Sequence, residues 1–167
     1  MTQSVDHETV VSRLLGADDI LILCHKNPDG DTLGSGAALC LALRRLGKTA
    51  AVLCSDPIPA MYAFLPITVF DGSFAPHFVV AVDVAGIQLF GDKNNMPRYA
   101  EHVDLCIDHH ASNSGYAYES LVDGSAAAAA ELLTSLIPEL GVELTPDIAA
   151  CLYTGVRRFC AWRLREK

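Results

Sequence analysis

An α/β fold, with a doubly wound, mainly parallel sheet flanked by helices, is what this sequence predicts. Short continuous apolar runs such as ILILC, FVVAV and VDLCI alternate with longer stretches of helical spacing. That is the pattern of buried parallel strands joined by crossover helices. The polar exceptions to the apolar runs collect at their ends. A length of 167 residues, 51% hydrophobic and 19% charged, suits one domain with a single buried core and excludes intrinsic disorder.

Each element has a local reason. Residues 4–15 place apolar side chains at helical spacing, with Ser4 as a cap. Asp18–His25 reads as a buried strand. After the KNPDGD loop, TLGSGAALCLALRRLG is helical in pattern and stops at Gly47. KTAAVLCS is a second strand, followed by a proline-rich loop holding one helical turn. Phe78–Ala85 is a third strand interrupted by Asp83, Val103–His110 a fourth, and YESLVD a short fifth. SAAAAAELLTSLIPEL forms a helix built on Ala126–Ala130, since alanine has the highest helix propensity. The last helix begins at TPDIAACLYTGV, with Thr145 as N-cap and Pro146 at the first helical position. Gly34-Ser35-Gly36 lacks the full spacing of a dinucleotide fingerprint and reads as close helix packing.

With 12 basic and 20 acidic residues the net charge is −8, which argues against a broad surface for duplex DNA, where many phosphates must be neutralised. Five basic side chains (Arg157, Arg158, Arg163, Arg165, Lys167) crowd the last eleven positions, a tail unlike the rest. The six cysteines lack Cys-x-x-Cys spacing and mostly sit in apolar runs, as buried reduced thiols do. The longest uncharged run, Pro57–Phe70, holds three prolines and is shorter than the ~18 residues of a spanning helix, so no membrane span is expected. Nor does the N-terminus carry the apolar segment of a secretory signal; a cytoplasmic setting is the expectation.

In open parallel sheets, ligands bind outside the carboxyl ends of the strands. His25, Asp29 and Asp31 follow the first strand, Asp83 ends the third, and Asp108, His109 and His110 end the fourth. Each piece alone has an ordinary explanation: NPDGD is a turn-forming sequence, and one Asp can end a strand. Their conjunction at three strand ends is another matter. Four carboxylates in one crevice repel and raise one another's pKa unless cations neutralise them. Mixed oxygen and imidazole ligands suit Mn, Zn or Fe rather than Ca. So many ligands could hold two metals bridged by a carboxylate, an arrangement that activates water for phosphoryl transfer.

These residues resemble the DHH phosphoesterase superfamily. HKNPDGDTLGSGAAL is similar to its first motif, VVAVDVA to its second and CIDHHASN to its third; LVDGSAAAAAELL and IAACLYTGV follow at similar spacing. The likeness covers residues 1–156 and is greatest for bacterial oligoribonucleases that also act as phosphatases on adenosine 3′,5′-bisphosphate. The resemblance implies that His25 and Asp29 bind a first Mn2+, that Asp31 and His109 bind a second, and that Asp83 bridges them. It also implies that Asp108 orients the His109 imidazole, that His110 meets the substrate phosphate or assists proton transfer, and that Asn27 orients the loop and contacts substrate. Short single-stranded RNA or a nucleotide is the implied partner.

Two departures shape the expectation. The family's fourth motif supplies a metal-binding aspartate that should fall near Phe159, where RRFCAWRLREK stands instead. The C-terminal substrate-binding domain is also absent, which suggests truncation or a frame-shift, with residues 157–167 as an atypical basic tail. One metal would then be held well and the second weakly. Self-association into a homodimer is a further expectation. Besides a phosphoesterase, two readings stay open: a non-catalytic metal- or nucleotide-binding remnant, and a manganese pyrophosphatase-like hydrolase.

Overall fold

The structure, a computed structural model, describes residues 2–163, with side chains described through residue 157. Six strands form one parallel sheet: β1 (Gln3–Ser4), β2 (Ile20–Leu23), β3 (Ala50–Leu53), β4 (Phe78–Val82), β5 (Leu105–Asp108) and β6 (Glu119–Val122). Their spatial order is β1-β6-β5-β4-β2-β3. Between the strands and after them run α1 (His7–Gly16), α2 (Gly30–Arg45), α3 (Met96–Ala100), α4 (Ala129–Glu139) and α5 (Pro146–Arg163). The proline-rich loop holds a 3-10 turn at Ala60–Tyr62, the helical turn expected there, and a second such turn spans Ile87–Leu89.

From β2 the chain moves outward to β3, then returns past β2 to build β4, β5 and β6 on the other side. The carboxyl ends of β2 and β4 therefore send their connections in opposite directions and leave a crevice between them. That is the switch point the strand-end acids require.

Alternation along the strands divides the core. Ile20, Ile22, Val80, Val82, Leu105 and Ile107 face α1, α2, α4 and α5. Leu21, Leu23, Val79, Ala81 and Cys106 face a thinner layer containing Phe90, Met96 and the ring of Tyr99. The winding is thus on both faces but lopsided.

Helix α2 is buried over most of its length and carries the first site loop at its start. A Cβ on Gly34 would run into the Cys151 carbonyl oxygen of α5, and one on Gly36 would lie 2.9 Å from the Cys24 sulfur. Close packing, the expected role of Gly34-Ser35-Gly36, is what these glycines provide. Helix α2 ends as predicted, with Gly47 at φ +81° and its N–H donating to the Arg44 carbonyl. In α5, the Thr145 hydroxyl accepts from the Ile148 N–H at 3.4 Å, the cap read from sequence.

Two boundaries differ from expectation. Ser4 does not cap α1; it lies in β1 beside Ser120, while the Asp6 carboxylate accepts from the Thr9 N–H at 2.9 Å. Both residue types cap well, and pairing with β6 decides between them. Helix α4 begins at Ala129, not at the head of the alanine run. Asp123 holds Ser125 and Ala126 in a turn, and Ala128 is extended, so the first three alanines approach the helix without joining it. The five described cysteines are all buried and free of disulfides. No helix among the described residues is long and apolar enough to cross a membrane. The tail's side chains from Arg158 onward, including the Phe159 position, lie outside the described residues.

Candidate metal centre

Three strand ends deliver the polar groups. Past β2, the chain presents His25 and then caps α2 with Asp29, whose Oδ1 accepts from the Asp31 and Thr32 N–H groups at 2.9 and 3.3 Å. The Thr32 hydroxyl donates to the Val82 carbonyl at 3.1 Å and accepts from the His25 N–H at 3.4 Å, stitching the ends of β2 and β4 together. Asp83 sits immediately past β4 at φ +59°, 4% exposed. Asp108 is the last residue of β5, and His109 and His110 follow it.

The structure brings all of these together around Asp83. Its Oδ2 lies 3.7 Å from His25 Nε2, and its Oδ1 lies 3.4 Å from His109 Nε2 and 3.7 Å from His110 Nδ1. His25 Nε2 is also 3.7 Å from Asp29 Oδ1, and His109 Nε2 is 3.6 Å from Asp31 Oδ2. Two sets of donor atoms, each within 4.8 Å of one another, share Asp83: His25–Asp29–Asp83 and Asp83–His109–His110. Buried Asp83 Oδ1 has no hydrogen-bond partner among the described residues. An anionic oxygen left so in a protein interior calls for a cation.

The imidazoles are turned for that purpose. His25 Nδ1–H donates to the Lys26 carbonyl at 2.7 Å, and His109 Nδ1–H to the Ala126 carbonyl at 3.2 Å. Fixing Nδ1 in this way aims both Nε2 atoms into the carboxylate cluster, the orientation common to metal-ligating histidines. An all-nitrogen-and-oxygen donor set suits a divalent ion of the Mn, Fe or Zn type.

Electrostatics tell the same story in protons. Burial opposes a charge on His25, yet Asp29 and Asp83 together raise its pKa to about 10. Asp83 also lifts His109 to about 9, against burial. Asp31 is pushed up to about 6 by burial and by Asp83, although the Ala129 and Ala130 N–H groups oppose the shift. The imidazolium charges thus sit where cations would.

Asp31 has a task that sequence did not disclose. Its Oδ2 accepts from the Ala129 N–H at 2.9 Å and its Oδ1 from the Ala130 N–H at 3.0 Å, with the Ser35 hydroxyl at 3.2 Å. It therefore caps α4 from a distance, in place of Ala128, which has no side chain to do so. Helix α5 presses against the same carboxylate: a Cβ on Gly155 would lie 2.5 Å from the Ala130 methyl and 3.1 Å from Asp31 Oδ1.

Asp108 requires a correction. It was expected to orient the His109 ring, but its Oδ1 accepts from the His110 ring Nδ1–H at 2.7 Å and reaches His109 only through the backbone N–H, at 2.8 Å. The Ala126 carbonyl, brought in by the turn before α4, holds the His109 ring instead. Asp108 is fully buried; His110 and Asn113 lower its pKa against the burial that would raise it. Asn27 is exposed at φ +50°, its N–H bound to Asp56 Oδ2 at 2.9 Å, which anchors the loop. Asn113, inside the CIDHHASN segment, received no role from sequence; its Nδ2 donates to Asp108 Oδ2 at 2.7 Å.

Similarity to known proteins shows the family. The family model for the DHH family, N-terminal domain, matches residues 19–156. A bifunctional oligoribonuclease and PAP phosphatase NrnA from Thermus thermophilus is 32% identical over 152 residues, covering 82% of this chain and 42% of that protein. A probable bifunctional oligoribonuclease and PAP phosphatase NrnA from Streptococcus mutans is 28% identical over 152 residues, covering 89% of this chain and 48% of that protein. The chain thus spans about half the length of these curated relatives or less. In fold, it is similar to an exopolyphosphatase-related protein from Bacteroides fragilis, with TM-score 0.80 and 20% identity, covering 93% of this chain and 50% of that one. With most of its length matched and its three motif segments gathered around Asp83, the chain belongs to the DHH family through that family's N-terminal domain.

Proposed function

We propose that the chain is a metal-dependent phosphoesterase acting on short oligoribonucleotides or 3′-phosphorylated nucleotides such as adenosine 3′,5′-bisphosphate. The observation that carries the reading is Asp83, a buried carboxylate whose Oδ1 has no hydrogen bond among the described residues and which is shared by two groups of side chains able to hold a metal ion. The substrate class is supported by the names of the Thermus and Streptococcus relatives. A cytoplasmic setting belongs to the same reading and is supported by the buried free cysteines.

His25, Asp29 and Asp83 would hold one divalent ion, Mn2+ by expectation, and Asp83, His109 and Asp31 a second. Bound ions of this kind neutralise the carboxylates, activate a water and offset charge on a transferring phosphoryl group. The chain's own groups do the rest. Asp108 accepts from His110 Nδ1–H, and that bond and its charge raise the His110 pKa, which favours the imidazolium. The Nε2–H of that form would donate to a phosphate oxygen or pass its proton to the leaving group, leaving the ring neutral with its remaining proton on Nδ1. His110 is suited to this because its side chain is 42% exposed, against 17% for His109. Asn27 stands on the exposed rim of the first loop, where a substrate would enter.

The test is release of mononucleotide from a short oligoribonucleotide, and of phosphate from adenosine 3′,5′-bisphosphate, with Mn2+ present or chelated. Mn2+-dependent turnover of either supports the reading. Turnover of pyrophosphate alone, or metal binding with no turnover of any of the three, contradicts it.

A further inference from the structure

We infer that Asn113 is a positioning residue that sets the His110 imidazole through Asp108 and locks the β5 end of the site to the Asp83 segment. The inference rests on the phosphoesterase reading for its kinetic consequence, though not for its structural one.

After His110 the chain turns back on the segment following β4. The Asn113 N–H donates to the His110 carbonyl at 2.9 Å, and the Ser114 N–H to the Ala85 carbonyl at 2.8 Å. The Asn113 side chain works in both directions from this turn. Its Nδ2 donates to Asp108 Oδ2 at 2.7 Å and to the Val84 carbonyl at 3.2 Å, while its Oδ1 accepts from the Gly115 N–H at 2.9 Å. Val84 is the residue after Asp83, and Asp108 begins the Asp-His-His segment. One amide thus ties together the two strand ends that must keep Asp83 and His110 in register.

The consequence for His110 follows from the fully buried Asp108 carboxylate. Its Oδ2 is engaged by Asn113, so Oδ1 is left to receive the His110 Nδ1–H and the His109 N–H. Without the amide, Oδ2 would be a buried anionic oxygen without a donor, and the carboxylate would turn toward a replacement. The His110 ring, with no other ring hydrogen bond among the described residues, would lose the partner of its Nδ1–H and with it its aim. Tyr116 provides an internal contrast. Its hydroxyl also donates to the Val84 carbonyl, at 2.9 Å, but has no hydrogen bond to Asp108 among the described residues.

Nitrogen-15 histidine NMR on the metal-free full chain reads the structural claim. Wild type and Tyr116→Phe should show a hydrogen-bonded, slowly exchanging His110 Nδ1 proton, and Asn113→Ala should lose it while keeping the wild-type circular dichroism. Asn113→Ser, whose hydroxyl is too short to reach Asp108, should behave likewise. With Mn2+ and whichever nucleotide substrate the wild type turns over, kcat should fall about 10- to 100-fold with KM changed less than about threefold, the scale seen for partners that orient site histidines. A folded Asn113 variant that keeps the Nδ1 proton and kcat overturns the inference. So does a wild-type His110 that shows no such proton. Failure of the wild type to hydrolyse any nucleotide would count against the phosphoesterase reading, and the NMR comparison would still decide the role of Asn113.

Discussion

The two halves of the site that meet at Asp83 are built in different ways. On the α2 side, Asp29 caps α2 and Asp31 caps α4, so carboxylates aimed at a cation also satisfy the first N–H groups of two helices. On the β5 side, Asp108, His110 and Asn113 are held by a side-chain network that touches no helix end. The first half therefore cannot change without disturbing the fold, whereas the second can lose its aim and leave the core intact. Stability and chemistry should separate along that line.

The largest expected effect is on the α2 side. Asp31→Ala removes acceptors from two buried N–H groups at the start of α4 and should cost about 2–4 kcal/mol in the metal-free protein, by urea unfolding. Asp31→Asn keeps one carbonyl acceptor and should recover roughly half of that. His110→Ala, made on the other half, takes one donor from Asp108 Oδ1 but leaves the His109 N–H on it, and should cost less, about 1 kcal/mol. Equal losses in the two would erase the distinction.

Next in size is the helix seam behind Asp31. Gly34→Ala drives a methyl into the Cys151 carbonyl and should destabilise by about 1–3 kcal/mol. Because α5 supports the carboxylate through Gly155, Mn2+ affinity should fall as well. A thermal melt and a metal titration on the same variant check both.

A separate test concerns protons. In the metal-free protein the pKa of His25 is about 10 and that of His109 about 9, against 6.5 for the unperturbed side chain. A raised imidazole pKa stabilises the fold fully below 6.5, and the contribution is lost as pH rises through 9 to 10. Metal-free stability should therefore decline from pH 7 to 10. Metal binding must displace these protons, so Mn2+ affinity should rise with pH over the same range. Calorimetry in buffers of different ionisation enthalpy should show proton release near pH 7.5, and no release would contradict the assignment.

How much of this was legible in the sequence follows from the range of the interactions. The strands β2 to β6 and their end-loaded acids could be read because each is a local run, and their parallel pairing follows from α/β alternation, whereas the two residues of β1 are too short a run to show. The reading of Ser4 as the cap of α1 failed because Asp6 has the same chemistry and only the pairing of Ser4 with β6 shows which of them is used. The start of α4 escaped because an alanine run carries no stop signal, and its cap comes from Asp31, 98 residues away. The sequence pointed to the histidine pair, but the assignment of Asp108 to the His109 ring fell on the wrong one of the two. That depends on ring orientations set by the Ala126 carbonyl and by Asn113, which spacing does not encode.

Both halves of the site depend on Asp83 as a shared ligand, and Mn2+ calorimetry on wild type and Asp83→Asn measures that dependence. The wild type should bind Mn2+ and Asp83→Asn should lose binding at every site, with the stabilisation given by metal, about 2.7 kcal/mol at a hundredfold excess over Kd, lost together with it. An Asp83→Asn protein that binds Mn2+ with wild-type affinity and stoichiometry would contradict it.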